Sequence, residues 1–186
     1  MIRLQTQRLI LRDWQDTDLD PFAKMNADPE VMTYFPALLS RQESDSLVQR
    51  INVHHQAYGF GLWAVETTGS FIGFIGLNVP SFQAHFTPAV EIGWRLAREF
   101  WGQGFATEGA REVLQYGFET IGLREIVSFT SSLNLKSIAV MKRLGMTSQV
   151  SDTFLHPLLP SGHPLQRHVL YRLRKNGIDL NQDPGI

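Results

Sequence analysis

The chain has 186 residues, and its 17 basic and 18 acidic side chains leave a formal net charge of -1, which marks neither a nucleic-acid nor a membrane surface. Cysteine is absent, which excludes disulfides, thiol nucleophiles and cysteine-ligated zinc or iron–sulfur centres. No signal-like apolar core opens the chain and no apolar run reaches the roughly 18 residues of a membrane span, so a cytoplasmic location is the default expectation.

In chain order, Leu9-Ile10-Leu11 between charged residues reads as an opening strand within Gln7–Asp13. Thr17, Asp18 and Asp20 supply N-terminal capping chemistry, and Pro21 fits only a first turn, so a helix is expected from about Asp18 to Asn26. Pro29 and Pro36 bracket an irregular piece. Ser40 and Glu43 form a capping box, followed at helical spacing by Leu47, Ile51, His54 or His55, and Tyr58, until Gly59 stops the pattern. Leu62–Glu66 and Phe71–Leu77, joined by a Thr67–Ser70 turn, predict a hairpin. After the connection Pro80–Pro88, Ala89–Leu96 is a further strand.

Two close glycines, Gly102 and Gly104, then lead into a helix whose apolar face carries Ala110, Val113, Leu114, Gly117, Phe118 and Ile121, with Gly122 at its end. Ile126–Thr130 is a strand, and Asn134 caps a helix carrying Ile138, Met141 and Leu144 up to Gly145. Val150–Phe154 and His168–Leu173 read as closing strands. No linker divides this series, so a single domain over 1–174 is expected, with a polar tail at 175–186.

A glycine turn at a helix N-terminus offers unpaired backbone N–H groups, reinforced by the helix dipole, to a phosphate. Gly102-Gln103-Gly104 with Gly109 superficially matches a dinucleotide fingerprint, but Ala97 to Trp101 separate it from the strand and Thr107 holds the third-glycine position. No Gly-Lys-Ser or Gly-Lys-Thr occurs, which excludes a Walker A loop.

Trp101-Gly102-Gln103-Gly104-Phe105-Ala106 resembles the Q/R-x-x-G-x-G/A acyl-coenzyme A signature of the GCN5-related N-acetyltransferase (GNAT) superfamily, with Trp101 in place of the usual Gln or Arg. Asn134-x-x-Ser137-x-x-x-Met141-x-x-Leu144-Gly145-Met146 follows in the family's order. The opening Thr6–Arg12 and closing His168–Leu173 resemble the ribosomal-protein alanine N-acetyltransferase branch. The resemblance implies an α+β fold with a mixed, mostly antiparallel sheet of about six to seven strands, flanked by helices and splayed between two central strands, here Val90–Leu96 and Ile126–Thr130. It implies acetyl-coenzyme A (acetyl-CoA) as donor, its pyrophosphate on the turn formed by Trp101, Gly102, Gln103, Gly104, Phe105, Ala106 and Thr107. Main chain near Leu96 and Arg98 would pair with the pantetheine, and Asn134 would also bind it.

Attack on a thioester needs a neutral amine, so a group must take its proton; Glu91, on a central strand where burial raises a carboxylate's pKa, is the candidate base, against pairing with an arginine. Where many relatives carry a tyrosine this chain has Met141, which has no proton to give, so Ser137 is the candidate acid for the departing thiolate. Both Asn134 and Ser137 also fit purely local capping roles. The early helices and the loop with Phe82, His85 and Phe86 are expected to border the amine. Arg95, Arg98 and Arg111 lie near enough in sequence to meet coenzyme phosphates, or are simply solvated. The histidines show no metal spacing. The expected partners are acetyl-CoA and an amine acceptor, a protein N-terminus or a small molecule, with no nucleic acid, membrane or metal and with a homodimer left open. The alternatives are a non-catalytic CoA- or partner-binding module and a nucleotide-binding regulatory domain.

Overall fold

The sheet is built around strands β4 (Ser70–Asn78), β5 (Glu91–Leu96) and β6 (Glu125–Ser131), in a computed structural model that describes residues 3–175. The other strands among the described residues are β1 (Leu4–Gln5), β2 (Ile10–Arg12), β3 (Leu62–Thr67), β7 (Phe154–Leu155) and β8 (Arg167–Arg174). The helices are α1 (Leu19–Asn26), α2 (Arg41–Tyr58), α3 (Phe105–Glu119) and α4 (Leu135–Arg143). All eight strands lie in one sheet, in the order β1-β2-β3-β4-β5-β6-β8-β7.

Every pairing is antiparallel except β5 with β6, which are parallel and meet only at Glu91 and Val127, where the Val127 N–H donates to Val90 O at 2.9 Å. Beyond that point β5 stays with β4 as far as Leu96 opposite Gly73, while β6 stays with β8 as far as Ser131 opposite His168. The sheet therefore opens into a V with its apex at Glu91. This is the expected α+β architecture with a splay between the central strands, and the strand number exceeds the expected six to seven through the two-residue strands β1 and β7.

Side-chain alternation along β5 divides its residues between the two faces. Ile92 and Leu96 enter the main core with Ile75, Leu77, Ile126 and the α3 residues Val113, Leu114 and Phe118. Glu91, Gly93 and Arg95 face the other way, opposite Asn78, Gly76 and Phe74 of β4. On that side α1 and α2 pack Phe22, Met25 and Val48 against Phe74. A half-buried guanidinium fastens this half: Arg12 of β2 forms two hydrogen bonds to Asp18, at 2.7 and 2.9 Å, and a third to Glu66 of β3 at 2.9 Å.

The helices follow their capping signals. Ser40 and Glu43 close the expected capping box on α2, and Gly59 ends it in the left-handed region. The expected strand Val150–Phe154 is a correction: Val150–Asp152 is a 3-10 turn and only Phe154–Leu155 pair with β8. Asp152 accepts from the Gln149 N–H at 3.0 Å and from Arg172, which bends the chain, and Val150 is 94% exposed. The opening strand is likewise shorter than Gln7–Asp13, because the Thr6 and Arg8 segment turns to bond α3. Of the expected tail, residues 176–186 lie outside the described residues.

α3 lies close on the sheet because Gly109 has no side chain: a Cβ there would stand 2.6 Å from Ile75 Cδ1 and 3.2 Å from Leu9 Cδ1, both fully packed residues. An exposed helical glycine replaced by a better helix former gains up to about 1 kcal/mol, whereas overpacking a core costs about 1–3 kcal/mol. Gly109→Val is therefore expected to lose about 2 kcal/mol in urea unfolding, read as a lower midpoint at unchanged slope.

Candidate active site

The turn expected to hold a phosphate begins where β5 ends. Gly102 and Gly104 hold φ of 75° and 83°, the left-handed region that lets the chain turn sharply into α3. No side chain caps this helix, and its first backbone bond runs from the Glu108 N–H to Gly104 O at 3.0 Å. The N–H groups of Phe105, Ala106 and Thr107 are thus left without helical partners at the positive end of the dipole. Gly102, Gly104, Phe105, Ala106 and Thr107 all line one large cleft of about 1800 Å³. Gln103 does not: its side-chain amide donates back to Glu99 O at 2.9 Å.

The turn is braced from a segment that no sequence pattern marked as functional. Arg8 donates to Gln103 O at 3.0 Å and to Glu108 at 2.6 Å, and its guanidinium lies over the Phe105 ring at 4.5 Å. The Thr6 hydroxyl donates to the same carboxylate at 2.6 Å. Burial pushes the Glu108 pKa up, but hydrogen bonds from Thr6 and Arg8 and the Arg8 charge outweigh it and hold the group below the usual range. Only the pairing of Thr6 and Arg8 with an acid in the first turn of α3 could have signalled this brace, and that pairing spans about a hundred residues.

Trp101, the departure from the usual signature, has a physical role here. Its indole N–H donates to Leu96 O at 2.8 Å, and the Lys136 ammonium sits 4.3 Å from the ring centre. The Ala97 N–H donates to Ile72 O on the β4 side, so by alternation the Leu96 N–H points into the gap. Arg98 is not brought to the cleft: its exposed side chain pairs with Glu30 and its carbonyl accepts from the Trp101 N–H at 3.1 Å.

At the apex stands Glu91, half-buried on the cleft wall. Burial pushes its pKa up to about 8, against the opposing pull of a hydrogen bond with Asn78. On the β6 wall, Asn134 accepts from the Ser137 N–H at 3.2 Å and donates to Thr130 Oγ1 at 3.0 Å, so it caps α4 and ties it to β6. Ser137 lines the cleft, whereas Met141 is wholly buried in the core.

The side expected to take the acceptor differs from expectation in three places. The helices α1 and α2 do not themselves line the cleft; the loop between them does, with Glu30, Val31 and Phe35. Phe82, His85 and Phe86 do not line the cleft; they pack into an aromatic cluster with Phe129 and Phe154, and the cleft wall is made instead by Phe129, His156 and His168. Burial pushes His168 down to about 4, which leaves it neutral at pH 7. Arg95, expected among phosphates or in solvent, lies on the α1–α2 face with its guanidinium 3.9 Å from the Phe35 ring. Arg111 lines the same cleft. Among the described residues no group of three His, Asp or Glu side chains is spaced to hold a metal, and no helix is long and apolar enough to cross a membrane.

An acetyltransferase (GNAT) domain profile matches residues 8–147. The chain belongs to the GNAT family, and it is an acetyl-CoA-dependent N-acetyltransferase. It is 35% identical over 147 residues to the uncharacterized protein YkkB of Bacillus subtilis, covering 77% of this chain and 84% of that one. It is 36% identical over 134 residues to the FsC-acetyl coenzyme A-N(2)-transacetylase of Aspergillus fumigatus, covering 67% of this chain and 56% of that longer one. The fold matches RimL, a ribosomal L7/L12 alpha-N-protein acetyltransferase solved with coenzyme A, with a TM-score of 0.76 at 17% identity over 93% of this chain and 98% of that one.

In this GNAT chain the indole of Trp101 combines a hydrogen bond to Leu96 O with packing against the core. Trp101→Phe keeps the packing and removes the bond to Leu96 O. It is expected to cost about 1 kcal/mol of stability and to weaken acetyl-CoA binding roughly five-fold by isothermal calorimetry.

Proposed function

We propose that this acetyltransferase acylates a primary amine at a protein N-terminus, by direct attack on the thioester. The observation that carries the reading is the gap itself: donor-type backbone groups at one end of β5, a shielded carboxylate at the other, and an open face between them. The cleft, about 1800 Å³ and bordered by the loop between α1 and α2, is large enough for the end of a polypeptide. RimL, whose fold this chain shares, acts on a protein N-terminus. The 36% identity to an enzyme named for FsC favours a second reading, a small-molecule amine.

In this account the Phe105, Ala106 and Thr107 N–H groups hold the coenzyme pyrophosphate, and Gly102, Gln103, Gly104 and Trp101 shape the turn that presents them. The Leu96 N–H and main chain towards Arg98 pair with the pantetheine and polarise the thioester carbonyl. Asn134 holds the β6 wall against the pantetheine arm. The amine nitrogen bonds to the acetyl carbon, the carbon–sulfur bond breaks, and the amine's proton passes to Glu91 while the coenzyme thiolate takes one through the Ser137 hydroxyl, which regains it from water in the cleft. No acyl-enzyme is needed, and the chain has no cysteine to carry one.

The Glu91 carboxyl keeps its proton through neutral pH, and its base form accumulates above about 8. The rate on a peptide amine should rise with pH through that value. Glu91→Gln should lose that limb and about 10²–10³ of kcat. The sign of the stability change is also fixed: a carboxyl raised in the folded state costs stability as pH climbs above its unfolded value, with the full cost above about 8. Glu91→Gln should therefore melt above wild type at pH 9 and level with it at pH 4. Acetyl-CoA binding with no amine-dependent thiol release, over peptides, polyamines and aminoglycosides, would instead make this a non-catalytic binding module.

A further inference from the structure

Arg95 is a half-buried cation without an anion. Its guanidinium lies against Phe35 at 3.9 Å and over Phe74 at 5.4 Å, one terminal nitrogen donates to Asn26 Oδ1, and Nε has no partner. Burial pushes its pKa down to about 10, which still leaves it charged at neutral pH. Among the described residues every ion pair is formed by another base. The contrast with Arg12 is direct: that guanidinium, also shielded from solvent, is matched by Asp18 and Glu66. Aromatic faces attract a cation but offer no hydrogen-bond acceptor, so Arg95 is left under-compensated.

A purely structural role does not call for the charge. Asn26 is already held by its bond to Ser44 Oγ at 2.9 Å, and its Oδ1 is a neutral acceptor that does not require a charged donor. Arg95 also lines the cleft, on the same face of β5 as Glu91. Gly93 between them has no side chain, and a Cβ there would find nothing nearer than Glu91 Oε1 at 3.9 Å. The floor from the carboxylate to the cation is therefore bare over four residues, about 13 Å of strand.

We propose that Arg95 receives a carboxylate carried by the acceptor, some way along the molecule from the amine that is acetylated. The acceptor is thus an extended amine with a remote carboxylate: a peptide N-terminus with an acidic side chain among its first residues, or an ω-amino acid. A guanidinium is the natural mate for a planar carboxylate, and Phe35 stacked on its face restricts approach to the edge. The inference rests on the reading that an amine is acetylated in this cleft.

The test is a chemical ruler. Rates are measured for ω-amino acids against n-alkylamines of equal length, and for Ala-Ala-Glu amide against Ala-Ala-Gln amide, the two sets separating small-molecule from peptide sources. Wild type should prefer the carboxylate-bearing partner by about tenfold at its best length. In Arg95→Gln the preference should fall to about twofold or less, with acetyl-CoA affinity unchanged; Arg95→Lys should retain part of it. Equal rates for charged and neutral partners at every length, or a preference that survives in Arg95→Gln, overturns the proposal. Should no amine be acetylated, the function reading fails by itself. The anion site is then read by calorimetric titration of ω-acetamido acids against N-alkylacetamides into CoA-saturated wild type and Arg95→Gln. An Arg95-dependent preference upholds the site, and its absence overturns it.

Discussion

The rest of the structure depends on two strands that stop pairing. β5 and β6 share one parallel contact at Glu91 and Val127 and then part, each held by its outer neighbour, β4 or β8. Main-chain groups along the gap lose their sheet partners, and buried backbone groups need partners, so the gap is a place for a ligand that can act as a strand. Because β5 stays paired with β4 and β6 with β8 along the opening, it has two ordered walls rather than a frayed edge. It also decides which chemistry faces which way: Ile92 and Leu96 anchor β5 in the core under α3, leaving Glu91, Gly93 and Arg95 for the opposite side.

The two ends of the gap are held by different means. At the open end, a glycine turn would be conformationally loose were it not fastened by Trp101 to Leu96 and by Arg8 to Gln103 and Glu108. Such bracing fixes the direction of the α3 N–H groups before any ligand arrives, which lowers the ordering cost of binding. At the apex, low solvation rather than a charged neighbour raises Glu91, so its proton affinity is a property of the fold. Beyond it the cleft is walled on one side by the loop between α1 and α2, which contains Phe35, with the aromatic wall of Phe129, His156 and His168 also lining it.

Much of this was legible in the sequence because the signals were local. The Ser40 and Glu43 box, the stop at Gly59, the Thr67–Ser70 hairpin turn and the Asn134 cap each depend on residues a few positions apart, and each forms as expected. The family signature brought in the splay, which no periodicity reveals. What sequence could not convey were interactions between distant segments: Arg8 on Glu108, Arg95 under Phe35, and the packing that draws Phe82 and Phe86 away from the cleft. Val150–Phe154 misled for a related reason, since its β-branched and aromatic residues Val150, Thr153 and Phe154 suit a strand while Asp152 bonds locally and to Arg172.

The central claim is that the donor lies in the gap between β5 and β6, against the N-terminus of α3. Amide hydrogen exchange resolved by NMR at Leu96, Phe105, Ala106 and Thr107, with and without acetyl-CoA, tests it most directly. These groups have no protein partner in the free fold and should become protected on binding, while the paired amides of β3 and β4 stay unchanged. Unaltered exchange at all of them under saturating acetyl-CoA would contradict the account.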